Sequence, residues 1–160
     1  MEGKNEVQIG ELIKAAFRMR PDRIVIGEIR DGTAAWNLIH AMSSGHDGSI
    51  STGHANSAQD MLMRLSLLIL AYQEMPFIAI GKQIASAIDI IVHLGRIRDK
   101  TRKVLEISEV LGWEEGEYIE NTLFQFKEDG EKDGRVQGRL EATGNQLQNL
   151  QKIVKAGISL

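Results

Sequence analysis

The chain has 160 residues, no cysteine, and 19 basic against 22 acidic side chains, a formal charge of −3. Its length fits one domain of ordinary size, and 42% hydrophobic with 26% charged residues excludes a disordered or fibrous chain. The lack of cysteine excludes a disulfide framework, a thiol nucleophile and a cysteine-type zinc site. No apolar run reaches the roughly 18 residues that span a bilayer, and Met1–Glu6 lacks the layout of a signal peptide. A cytoplasmic protein is expected.

The net charge hides a division. Residues 114–134 carry eight acids against Lys127 and Lys132, a local −6, which leaves +3 for the rest. Two basic clusters stand out: Lys14, Arg18, Arg20 and Arg23, then Arg96, Arg98, Lys100, Arg102 and Lys103. Nucleic-acid binding would need a strongly basic domain with interleaved aromatics, and only 5% of the residues are aromatic. No nucleic-acid partner is expected, and solvated faces are the default reading of both clusters.

In chain order, Ile9, Leu12, Ile13, Ala16 and Phe17 repeat at helical spacing and predict a helix over 9–20, ended by Pro21. Ile24–Ile29 is a β-branched run without alternation, as in a strand covered on both faces within a mostly parallel sheet. Asp31 can cap a following helix, in which Trp36, Ile39, His40 and Ser43 form a stripe beside Ala35, Leu38 and Met42. Gly45 fits the left-handed position after it. Ser49–Gly53 reads as another short strand, and Ser57-Ala58-Gln59-Asp60 as a capping box opening a helix through Ile69. Pro76 predicts the start of a further helix through Ile84.

Ile88–Leu94 reads as a second buried-type strand, whereas Lys103–Val110 alternates like a half-exposed antiparallel one. Ile119–Phe126 and Arg135–Leu140 are expected strands joined by the turn-rich segment 128–134. Gln146–Lys155 could close the chain with a helix stopped by Gly157. The expected architecture is α/β through residue 112, with an antiparallel and helical appendage over 113–160.

Three features bear on chemistry. Glu28 stands near the carboxyl end of an apolar strand, where open parallel sheets place their ligands. A carboxylate there can hold a metal through its waters or deprotonate an attacking water. On residue pattern alone, the ordinary reading is that Glu28 pairs with Arg30 or caps a helix. The second feature is the segment Gly45–Asn56, dense in glycine, hydroxyls and histidine. Glycine admits close backbone approach, while Thr52 and His54 offer donors to phosphate oxygens. A metal set of His40, His46, Asp47 and His54 is the rival, and a loop whose histidines bond to backbone competes with both. The phosphate reading is preferred over the metal one, because these spacings match no tight metal motif and H-E-x-x-H is missing. The third feature is the lack of G-x-x-x-x-G-K-[ST], the phosphate cradle of P-loop enzymes.

Taken together, Arg18–Arg30 and Gly45–Asn56 resemble segments of the type II/type IV secretion-system ATPase superfamily, with the tight-adherence (Flp-type) pilus assembly ATPases as the most similar branch. The first segment resembles the Walker B strand and the second the His box. Gln83–Asp89, Arg96–Asp99, Glu109–Val110 and Asp133–Gly138 resemble the same branch. The resemblance implies part of a RecA-like, P-loop motor domain, a partial parallel sheet flanked by helices with a β-hairpin and helical tail. It implies that Glu28 is catalytic and that His54 stands near the terminal phosphate, with Arg30, Thr52 and Gly53 beside it. Gly45, His46, Asp47 and Gly48 match the opening turn of the box. Arg96 and Arg98 are assigned to phosphate or to a neighbouring subunit.

ATP and Mg²⁺ are the implied ligands, with no metal held directly by these residues. The implied partners are a homo-hexamer or complete ATPase subunits, and an inner-membrane platform protein that would hold the assembly at the cytoplasmic face. Family members carry the Walker A loop and an acidic Asp box upstream of a point matching Met1. The chain is therefore expected to be a C-terminal fragment of the motor, inactive alone. A non-catalytic module that joins or complements a complete subunit is the alternative.

Overall fold

The computed structural model describes residues 7–158. They divide into two compact units, residues 7–55 with 60–88, and residues 56–59 with 89–158.

The first unit is α/β. Helix α1 (Ile9–Phe17) buries Ile13 and ends before Pro21. Strand β1 (Val25–Ile26) follows, and then α2 (Gly32–Ser43), which Asp31 caps by accepting the Ala34 N–H at 2.8 Å. Helix α2 buries Ala34, Ala35, Leu38, Ile39 and Ala41. Trp36, half-buried, and His40, exposed, instead stack edge to face, so the expected stripe is rotated toward the small residues. Gly45, at φ +90°, takes the left-handed conformation expected after the helix.

Strand β2 (Ile50–Ser51) then pairs parallel with β1, Val25 opposite Ile50 and Ile26 opposite Ser51. Helices α3 (Ala58–Tyr72) and α4 (Phe77–Ala87) complete the unit; Pro76 is the cap residue of α4. Leu62, Leu65, Ile69, Ile80 and Ile84 are buried with Ile24, Ile26 and Ile29.

The β1 run is not covered on both faces as its apolar sequence predicted. Ile26 is 4% exposed, but Val25 is 75% and its partner Ile50 61% exposed. Only one face of this parallel pair carries packed side chains.

The second unit is a four-stranded antiparallel sheet in the order β3 (Ile90–Arg96), β4 (Arg102–Glu114), β5 (Glu117–Lys132), β6 (Arg135–Ala142), followed by the short helix α5 (Gln151–Lys155). The sheet runs without interruption across residue 112. The β4–β5 and β5–β6 hairpins are tight because Glu115-Gly116 and Asp133-Gly134 both take positive φ, which a two-residue loop between twisted strands requires. The segment 128–134 is thus mostly strand: a bulge between Glu128 and Gly130 absorbs the extra residue, and only Asp133 and Gly134 turn.

Strand β3 also departs from expectation. It lies at the sheet edge, where Ile90, Val92 and Leu94 are exposed and alternate with half-buried neighbours. Its apolar run belongs to an edge strand, not to one covered on both faces.

Candidate active site

The amino end of β2 is tied to β1 by backbone and side chain. Ile50 donates its N–H to the Ile24 carbonyl at 3.1 Å, and Ile24 donates to Ser49 Oγ at 3.0 Å. Beyond the two strands the pairing continues, with Ile29 N–H donating to Thr52 O at 2.9 Å and the Thr52 hydroxyl donating to Gly27 O. Two parallel strands held in register must place their carboxyl ends side by side. Glu28 follows one and His54 the other.

Their side chains meet. His54 Nε2 lies 3.1 Å from Glu28 Oε1. The second carboxylate oxygen, Oε2, accepts from Arg30 through Nε at 2.8 Å and lies 2.6 Å from Nη2. Glu28 is the shielded member, its side chain 24% exposed against 78% for Arg30 and 85% for His54. The hydrogen bond from Arg30 holds the Glu28 carboxyl below its ordinary range, against the opposing effect of partial burial. The charges of Arg30, His54 and Arg64 act in the same direction as that hydrogen bond. Glu28 is therefore an ionised carboxylate at neutral pH, set among more cations than it can neutralise. Arg64, on α3, carries no sequence signal of its own; the fold alone brings its charge near Glu28.

The ordinary reading of Glu28 is half realised. It pairs with Arg30, but the cap of α2 is Asp31. A surface recess beside it is lined by Gln8, Gly10, Gly27, Arg30, Asp31 and Thr33. Gly10 is needed there, because a Cβ would stand 2.3 Å from Thr33 Cγ2.

Other residues singled out in the sequence lie elsewhere. Gly45–Gly48 enters β2 from its amino end, opposite the end that carries His54. His46 tilts over Phe17 with ring centroids 5.4 Å apart, and its Nδ1 approaches the Ala41 carbonyl at 3.3 Å. Gly48, at φ +79°, lies against Arg23, whose Nε would be 2.8 Å from an added Cβ. The Thr52 hydroxyl proton, offered by the sequence to a phosphate, is used on Gly27 O. Gly53 packs beneath Met61, with Cε 2.5 Å from the position of a Cβ. Among the described residues, no three His, Asp or Glu side chains come together to hold a metal ion, so His40, His46, Asp47 and His54 do not form one set.

In the second unit, Arg98 is bound to Glu128 and Glu131 of β5, and these bonds raise its pKa further. Arg96 donates from Nε to the Lys100 carbonyl at 3.0 Å. Part of the acidic surplus of residues 114–134 thus meets the second basic cluster, while Arg139 pairs with Asp129 and Glu141.

Residues 1–151 match the family described as Type II/IV secretion system protein. The chain belongs to that family. Among relatives of this secretion-system family, the conjugal transfer protein TrbB of Rhizobium radiobacter is 38% identical over 124 residues, 77% of this chain and 36% of its own length. The type IV secretion system protein PtlH of Bordetella pertussis is 41% identical over 56% of this chain and 27% of its own. The crystal structure of the VirB11 ATPase from the Brucella suis type IV secretion system, in complex with sulphate, aligns with a TM-score of 0.60 and 31% identity. It covers 64% of this chain and 32% of that one. The chain spans about a third of the length of the curated relatives it matches. That likeness to a secretion ATPase accords with the α/β architecture of the first unit. No helix among the described residues is long and apolar enough to cross a membrane.

Proposed function

We propose that this chain carries the water-activating part of a secretion-system ATPase that, intact, couples ATP hydrolysis to pilus assembly or protein export. The observation that carries the reading is Glu28, a shielded, ionised carboxylate at the carboxyl end of a parallel strand, with His54 of the adjacent strand 3.1 Å away. In this reading β1 is the Walker B strand and the segment through His54 the His box, as in the tight-adherence branch.

In the proposed reaction Glu28 accepts a proton from a water molecule. The water oxygen forms a bond to the terminal phosphorus. The bond from that phosphorus to the bridging oxygen breaks, and its electron pair leaves with ADP. Arg30 and Arg64 bring two positive charges to one carboxylate, and this surplus suits a terminal phosphate. Bound Mg²⁺ would neutralise phosphate charge, and a complete P-loop would position the phosphates. The sequence contains no such loop, so the chain alone is expected to be inactive. Thr52 and Gly53 shape the His54 side of the site, and the turn Gly45-His46-Asp47-Gly48 supports the approach of β2. Arg96 and Arg98 face a neighbouring subunit of a hexamer, which works at the cytoplasmic face against an inner-membrane platform protein.

The exposed Val25–Ile50 face gives the alternative its support. An apolar strand pair uncovered on one side suits a module that complements a complete subunit.

The test is E28Q in the complete protein. Turnover should fall at least about 10²-fold, the size of a general-base contribution, while ATP binding persists. Normal turnover would remove the assignment. The chain alone should show no micromolar affinity for Mg-ATP; such affinity would overturn the expectation that it lacks a working cradle.

A further inference from the structure

Resting on the assignment of Glu28 as base, the geometry points to Arg30 as a releasable clamp. It holds Glu28 unable to take a proton until the terminal phosphate of a nucleotide draws the guanidinium away.

Two nitrogens of Arg30 converge on one carboxylate oxygen, with Nε donating to Oε2 at 2.8 Å and Nη2 2.6 Å from it. His54 Nε2 occupies the other oxygen at 3.1 Å. A guanidinium only donates and keeps its proton throughout the working pH range. A carboxylate engaged by donors on both oxygens is a poor proton acceptor, because each bond favours the ionised form over the protonated one. The resting arrangement therefore contradicts the task of a base. One of the two donors has to leave before water can give up its proton.

Arg30 is the one built to leave. Its side chain is 78% exposed, and among the described residues its polar contacts are all to Glu28. The neighbouring carboxylate, Asp31, already accepts the Ala34 N–H through Oδ1 at the start of α2. A terminal phosphate offers three charged oxygens against one shared carboxylate oxygen and matches the planar fork of arginine bidentately. Arg30 would thus exchange a carboxylate for a phosphate at no loss of pairing. The exchange returns Oε2 to the attacking water only when there is a phosphate to attack. Arg30 is a positioning residue in this scheme, acting through Glu28.

The test uses the complete ATPase, as wild type, R30Q and R30K, with kcat and kcat/KM for Mg-ATP measured from about pH 3 to 8, a window that takes in the carboxylate range. The acid limb of kcat/KM reports the free enzyme and that of kcat the nucleotide complex. In R30Q the kcat/KM limb should move to higher pH, the kcat limb should stay in place, and KM should rise about tenfold for a lost phosphate contact. R30K keeps the charge without the fork and should shift in the same direction by less, which covers the case of an R30Q protein that does not fold. ATP ionises identically in all three assays. Limbs that both move would mean that Arg30 stays on Glu28 through turnover, and limbs that both stay would mean that it does not clamp; either overturns the proposal. Full turnover in E28Q would instead remove the base assignment on which it rests.

Discussion

His54 Nε2 stands 3.1 Å from Glu28 Oε1 although the whole of α2 and a glycine-rich turn separate the two residues in the chain. The distance is set by backbone pairing. Ile29 N–H reaches the Thr52 carbonyl and the Thr52 hydroxyl reaches the Gly27 carbonyl, so the two chains leave the sheet locked together. A histidine so placed steadies one oxygen of the carboxylate and leaves its ring largely exposed toward any ligand.

Replacing that histidine should therefore harm the reaction more than the fold. For H54A in the complete protein we expect kcat to fall about 10²-fold, as for loss of one preorganised donor. Unfolding free energy should stay within about 0.5 kcal/mol of wild type, as for exposed substitutions. Steady-state phosphate release and denaturant unfolding together check this; unchanged kcat would remove His54 from the site.

Gly32, the first residue of α2, should tolerate no side chain. A Cβ would stand 2.3 Å from the Leu68 carbonyl oxygen and 2.5 Å from Tyr72 Cβ, both on α3. The obstruction includes backbone, so α2 and α3 would have to separate. G32A should destabilise by about 1–3 kcal/mol, the usual cost of overpacking. Urea unfolding of the purified variant measures it, and a change below experimental error would show that the helices yield freely.

Glu109 supplies a structural test in the second unit. It is 1% exposed and accepts N–H bonds from Gln148 at 2.9 Å, from Asn149 at 2.6 Å and from Asn121 Nδ2 at 3.1 Å. Burial alone would raise its pKa, but these donors together lower it. E109A strands the donors and should cost about 1–3 kcal/mol, as for unsatisfied buried groups. Hydrogen exchange should accelerate first at residues 148 and 149. Protection equal to wild type there would contradict the anchoring role.

The β3–β4 turn should be acid-labile. The carboxyl of Asp99 accepts from the Thr101 hydroxyl at 2.7 Å and N–H at 2.9 Å, and from the Val136 N–H at 2.8 Å. These bonds, led by the Thr101 hydroxyl, lower its pKa to about 2. A depressed carboxylate contributes stability that is complete above its unfolded value of about 3.9 and is lost as pH falls toward 2. Thermal unfolding of wild type and D99N across pH 2–7 should show the variant less stable at neutral pH, with the two curves converging near pH 2. Parallel curves would mean that the bonds contribute nothing.

Much of this was legible in the residues. Asp31 as a cap, Pro76 before α4, Gly45 in the left-handed position and Glu28 at a strand end all follow from local rules that the structure obeys. The buried stripe of α2 differs from the expected one because alternation of small and large residues leaves two adjacent faces nearly equal in apolar character. Ala34, Ala35 and Ala41 take the buried side, where close helix packing favours small side chains, and Trp36 is left half-buried. The β3 run departs from expectation for a related reason. Ile90-Ile91-Val92 is apolar whether one face or two are covered, and only its place at the sheet edge decides.

What the sequence determined by itself is the set of short-range commitments, in which a cap, a positive-φ turn or a proline acts on residues within one turn of the chain. The family likeness carried by Arg18–Arg30 and Gly45–Asn56 was visible at that level too. The tertiary structure alone decided which segments meet. It placed β2 parallel to β1, so that His54 reached Glu28 while His46 was left over Phe17. It also brought the Arg64 charge near Glu28 and gave Arg98 to Glu128 and Glu131. The physical reason is that strand pairing and burial are set by contacts between segments distant in the chain, and no residue carries the address of its partner in its own neighbourhood.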